Sequence, residues 1–250
     1  MRSKLDMKLN LVTVTGADDS TPVDSLLAIA KQFPFVEFGI LLSRGSMGRM
    51  RFPSTEWLNN LVAVASEHRL NLSGHLCGAW VRELLVGRWP ESELRAIHPE
   101  FTNADIFKRW QINTHAIPHK TKVPELTAII NELGKRGQTA IFQYDGVNTG
   151  TVDTMRQSGC TNIATLFDLS HGAGILPKDW PAPLPGIYCG YAGGLSAENV
   201  AEQLKKLETV VGDSAIWIDA ETRLRTPDDA IFSMTKVHDF LAAAQPWCAK

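Results

Sequence analysis

Six apolar runs in this chain end in polar residues two apart: Thr13 and Thr15, His75 and Cys77, Gln111 and Asn113, Gln143 and Asp145, Asp168 and Ser170, Asp219 and Glu221. A further run holds Glu37 and reaches Ser43. Alternate residues of a strand share a face, so both members of each pair point the same way. Carboxylates and imidazoles move protons, and amides hold polar ligands in place. Asp168, Thr15, Asp145, His75 and Glu221 are therefore the candidates for chemistry, and Gln111 and Asn113 for binding. Burying so many polar groups without a ligand, water or mutual bonds would be costly. The pattern points to a small-molecule site.

The same residues argue for no metal and no cofactor. Asp145, Asp168, His171, Asp219 and Glu221 are hard-cation ligands by type, but their spacing matches no metal motif. No Walker A or GxSxG pattern occurs, and the first βα turn, "GADDST", has one glycine where a dinucleotide fingerprint needs three. Cys77, Cys160, Cys189 and Cys248 lie far apart with no CxxC. That spacing reads as free thiols in a cytoplasmic protein rather than a disulfide framework. Cys189, at a strand end, reads as a small hydrophobe.

A net charge of −2 with scattered Lys and Arg leaves no footprint for nucleic acid. The first residues lack an apolar signal core, and no run is long enough to span a membrane. The expected partner is a small-molecule substrate, with an oligomer compatible with the sequence.

The elements that must position these residues alternate. Short β-branched runs, "LNLVTVTG", "FVEFGILLS", "LNLSGHLCG", "RWQINTHA", "QTAIFQYDG", "NIATLFDLS", "GIYCG" and "SAIWIDAE", are mostly followed by helix-like segments. In "PSTEWLNNLVAVASEH", Trp57, Leu58, Leu61, Val62 and Ala65 fall at helical spacing. Ser196 reads as the cap of "AENVAEQLKKLE". Thr226-Pro227-Asp228-Asp229 reads as the start of the last helix. Eight β/α units in 250 residues predict a single (β/α)8 barrel over residues 1–250. An open doubly wound sheet is the less favoured alternative, because it has fewer strands. The segment from Gly87 to Arg109 exceeds a simple connection and reads as a lid or partner surface.

Two stretches suggest an anionic ligand. Gly193-Gly194 lets the backbone turn tightly, and Ser196 follows at a helix start, a place where barrels hold phosphate. Arg51 suits bidentate carboxylate pairing, with Arg44 and Arg49 on the same loop.

Residues 166–200 carry a family resemblance. Leu166-Phe167-Asp168, Gly172-Ala173-Gly174, Lys178-Asp179-Trp180 and the run from Ala192 to Val200, "AGGLSAENV", resemble strands six and seven of phosphoribosylanthranilate isomerase. Arg51-Phe52-Pro53-Ser54 looks like that family's segment after strand two, and Gln111-Ile112-Asn113 is a weaker echo. The resemblance implies a (β/α)8 fold and an Amadori rearrangement of an aminoaldose phosphate. It implies Asp168 as general acid and Arg51 as the holder of a carboxylate. The sequence departs from the family three times, one of them the length of the segment from Gly87 to Arg109. Thr15 stands where the family has its basic cysteine, and an alkoxide does not form without a separate strong base. After strand eight, Ala220-Glu221-Thr222-Arg223-Leu224-Arg225 replaces a glycine-containing phosphate loop.

Three readings follow. The first is an isomerase-like barrel enzyme acting on a small polar, anionic metabolite. The second is a genuine phosphoribosylanthranilate isomerase whose base is replaced by Asp18, Asp145 or His75. The third is a barrel that binds a metabolite or partner without turnover.

Overall fold

The computed structural model describes residues 7–114, 121–168 and 174–248. Eight parallel strands close into a barrel in sequence order. They are β1 (Lys8–Thr15), β2 (Val36–Leu42), β3 (Leu72–Leu76), β4 (Phe107–Ile112), β5 (Thr139–Gln143), β6 (Ile163–Phe167), β7 (Tyr188–Ala192) and β8 (Ala215–Ala220). The (β/α)8 expectation holds. Ser170, His171, Gly172 and Ala173 of the sequence motifs lie outside the described residues.

The helices are α1 (Val23–Gln32), α2 (Thr55–His68), α3 (Ala79–Leu84), α4 (Glu91–Ile97), α5 (Val123–Lys135), α6 (Thr149–Gln157), α7 (Val200–Val211) and α8 (Met234–Ala244). They cover the outside of the strands, so β2 is buried along its whole length, as a parallel barrel strand must be. On α2, Trp57, Leu58, Leu61, Val62 and Ala65 all face inward, and Ser54 accepts from the Trp57 amide to cap it.

Three local expectations are corrected. The segment after Gly87 is no lid. It contains α4, and Leu94 and Phe101 are fully buried in the core. α4 lies against α2. The last helix begins at Met234, capped by Ser233, not at Thr226. Asp228 accepts from Thr226 and from the Ala230 amide, Asp229 is left-handed at φ 61°, and Arg225 bridges Phe232. Those local bonds build a turn in place of a helix start. Ser196 does not cap α7, which starts at Val200 after Asn199. Its hydroxyl is bound to the Glu198 carboxylate instead.

The barrel interior is divided. Ile141, Ala164, Leu166, Ala192 and Trp217 form an apolar cluster on the β5 to β8 side. The β1 to β4 side is polar. Arg109 Nε donates to Glu37 Oε2 at 2.8 Å, and Thr13 donates to Glu37 Oε1 at 2.8 Å. A second Arg109 nitrogen also contacts Glu37, and the guanidinium lies 4.5 Å from the Trp217 ring centroid. Breaking such a buried pair from one side costs about 3–5 kcal/mol, because the remaining charge is left unpaired. The pair forms a charged floor beneath the mouth.

Candidate active site

The C-terminal mouth holds a small cleft open to solvent. Among its walls are Gln111 and Asn113 from β4, Asp168 after β6, Gly193 and Gly194 after β7, and Glu221 after β8. The structure thus brings together six of the residues that the sequence singles out. It places Gln143, Asp219 and Arg223 beside them. Asp219 and Gln143 carry the period-two signal of the strand ends. Nothing in that pattern distinguishes Asp219 from its neighbours.

Asp168 acts on Glu221, and Glu221 on Asp219. Asp219 is buried, and its Oδ1 accepts from Thr15 at 2.9 Å. Burial, then the charge of Glu221, pushes its pKa well above the usual carboxylate range, and the Thr15 bond opposes this. Glu221 is also pushed up, by burial and by Asp168 and Asp229, while Arg51 pulls it down. Two carboxyls of one cleft are thus both shifted towards the protonated form.

Thr15 and His75 lie beneath the cleft. Gly39 on β2 makes room for both: a Cβ there would stand 2.1 Å from Thr15 Oγ1 and 2.8 Å from His75 Cε1. His75 is buried, with neither ring nitrogen hydrogen-bonded among the described residues. Burial, helped by the charge of Arg109, lowers its pKa to about 3, so the ring is neutral. Cys77, beside the mouth, accepts from Asn113 Nδ2 at 3.1 Å. Burial pushes its thiol up to about 12, too high for a thiolate nucleophile.

Asp145 does not line the cleft. Its Oδ1 accepts from the amides of Val147 and Asn148 at 2.9 and 3.0 Å, which shapes the turn before α6. Asp18 is buried and held by the Arg51 amide, Ser20 and Arg225. Burial raises its pKa, but bonds from Ser20 and Arg51 and the charge of Arg225 outweigh that and leave it low. A carboxylate so well solvated by the protein is a weak base.

Arg51 stands at the rim with φ 71°. Its Nη1 lies 2.5 Å from Glu221 Oε1, and its Nε lies 2.7 Å from Asp229 Oδ2. Arg51 therefore offsets Glu221. Arg225 is fully buried, bound to the carbonyls of Gly16 and Asp229 and to Asp18.

The β7 loop is folded on itself. Gly194 has φ 66°, and a Cβ there would meet Leu176 N at 2.5 Å. The close approach is to the chain's own β6–β7 segment. Asn199 accepts from the Ser196 amide and donates to the Gly194 carbonyl, both at 2.9 Å. Glu198 accepts from the Ser196 hydroxyl and its own amide, near Lys236 and Arg223. Ser196 lines a neighbouring hollow, with Gly194, Glu198, Arg223 and Lys236, rather than the main cleft.

Among the described residues, no group of three or more His, Cys, Asp or Glu side chains is placed to hold a metal ion. No helix of the described residues is long and apolar enough to cross a membrane.

No family model matches the chain, and no curated protein matches its sequence. Solved structures show only distant likenesses. A native KDPGal structure is 13% identical with a TM-score of 0.49, over 96% of this chain and 97% of that one. The YdjI aldolase of Escherichia coli K12 is 12% identical with a TM-score of 0.49, over 95% and 88%. A designed porous protein cage is 13% identical with a TM-score of 0.48, over 96% and 74%.

Proposed function

We propose that this chain is an isomerase-like barrel enzyme that moves protons on a small polar, anionic metabolite at the mouth cleft. The observation that carries the reading is the grouping of Asp168, Asp219 and Glu221 in one cleft, with two of them held against ionisation. In an aldose-to-ketose rearrangement, Asp168 gives a proton to the ring oxygen as the ring C–O bond breaks. Asp219, once ionised, removes the C2 proton and returns it to C1. Its raised pKa makes it a stronger base than an ordinary carboxylate. Gln111, Asn113 and Gln143 offer amides to hydroxyl groups. The anionic end lies towards Arg223 and the Gly193-Gly194 turn, where it competes with Glu198 for positive charge.

The test is proton exchange with solvent. Aldose and aminoaldose phosphates incubated with the protein in D2O should gain deuterium at C1 or C2, read by proton NMR. Absence of label across the series rejects the reading.

A genuine phosphoribosylanthranilate isomerase is the second reading, favoured by Asp219 lying against Thr15, where that family has its base. Expression in a tryptophan auxotroph lacking that enzyme decides it. Rescue at low expression supports the second reading, and failure to rescue leaves a different substrate for the first.

A further inference from the structure

Cys77, Asn113 and Gln111 form a short chain of bonds at the cleft. The Cys77 thiol keeps its proton, because burial pushes it up to about 12. It donates to the His75 carbonyl at 3.6 Å. Towards Asn113 its sulfur can then only accept, and Asn113 Nδ2 lies 3.1 Å away. That turns Asn113 Oδ1 to Gln111, which donates to it from Nε2 at 2.9 Å. One thiol thus fixes the orientation of two amides in turn.

An acceptor is left over at the end of the chain. Gln111 lines the cleft and is 6% exposed, and its Oε1 has no hydrogen-bond partner among the described residues. A buried acceptor without a donor is costly, and a ligand O–H or N–H removes the cost. A carboxylate or an ionised phosphate brings only lone pairs and gains nothing there. Arg223, the cation of the cleft wall, follows β8, which lies opposite β4 in the closed barrel. The two walls therefore ask for different ends of one ligand.

We propose that Gln111 is a specificity-determining residue of the cleft: its Oε1 accepts from a hydroxyl of the substrate, so that the hydroxylated end lies against β4, away from the anionic end. Asn113 and Cys77 are positioning residues, which keep the amide from turning its donor to the ligand. This rests on the mouth cleft being the substrate site, but not on turnover. A substrate that lacks the hydroxyl leaves the acceptor unpaired and is rejected for that reason.

Glucose 6-phosphate and its 2-, 3- and 4-deoxyfluoro analogues are the probes, since fluorine fills the place of a hydroxyl but donates no hydrogen bond. Titration calorimetry with the native protein should show one analogue binding about fivefold or more weakly than the parent, the scale of one lost hydrogen bond. In Gln111→Met that analogue and the parent should bind alike. The variant should melt no lower than the native protein, because it removes an acceptor that nothing satisfies, and half-buried Asn113 can take water in place of the lost donor. Equal binding of all the probes by the native protein, no binding of glucose 6-phosphate, a preference that survives in Gln111→Met, or a variant that melts well below the native protein overturns the proposal. Deuterium exchange without a Gln111-dependent preference rejects the hydroxyl contact alone. The preference without exchange rejects the isomerase reading alone.

Discussion

Thr15 Oγ1 donates a 2.9 Å hydrogen bond to Asp219 Oδ1, across the paired strands β1 and β8. The bond favours the ionised carboxylate, and burial and Glu221 oppose it. Thr15→Val removes the donor at almost constant volume. Asp219 then holds its proton to higher pH. The acidic limb of the kcat/KM profile should move upward, and activity below that limb should fall about tenfold. A limb that stays in place excludes Asp219 as the base.

Asp168→Asn keeps the shape of the side chain but cannot give a proton to a leaving oxygen. Turnover should fall about 100-fold or more, the usual scale for a general acid. The same change removes one of the charges that push Glu221 upward. Its signature is a loss in kcat larger than any change in KM. A loss confined to KM would assign Asp168 to binding.

The barrel and its polar mouth are legible in the chain because both rest on local period. Strand ends such as Gln111 and Asn113 show their shared face by spacing alone. What the sequence hides are relations across the barrel. Arg51 meets Glu221 at a separation of 170 residues, and no local pattern encodes that contact. The Ser196 and Thr226 expectations fail for a different reason. Each rests on a good capping residue, and in each case a nearby carboxylate, Glu198 or Asp228, takes the hydroxyl first. Asp219 is visible as a polar strand residue, but its partner Thr15 lies 204 residues away.

His75 gives a stability prediction with a definite sign. Its pKa falls from 6.5 to about 3 on folding, because burial and Arg109 disfavour the charged ring. Between those values the unfolded chain binds a proton that the folded protein does not. Stability therefore rises with pH across this window and is lost as pH falls below 6.5. Each pH unit within it is worth about 1.4 kcal/mol. Asp219 acts oppositely, since its raised pKa lets the unfolded chain release a proton first. Urea unfolding of His75→Gln and the native protein between pH 7 and about 4 separates the two. The variant should lose much less stability on acidification. Parallel curves would mean that the ring is protonated inside the barrel.

Arg51 contacts Glu221 and Asp229 from the β2–α2 loop, so it ties two loops across the mouth. The three side chains are 22%, 32% and 33% exposed, and solvent weakens their attraction. Arg51→Met should cost about 1 kcal/mol, near the upper end for such pairs. The cost is greater than loss of contact alone, because Glu221 is then left facing Asp168 and Asp229 without a cation. Glu221→Gln removes that repulsion, so it should partly rescue Arg51→Met. A double-mutant cycle isolates the pair: its coupling should be about 1 kcal/mol at low salt and shrink as salt screens the charges. Zero coupling at low salt would make Arg51 free to bind a ligand carboxylate without displacing Glu221. Measurable coupling means that any acidic ligand at this rim must first take Arg51 from its own acids.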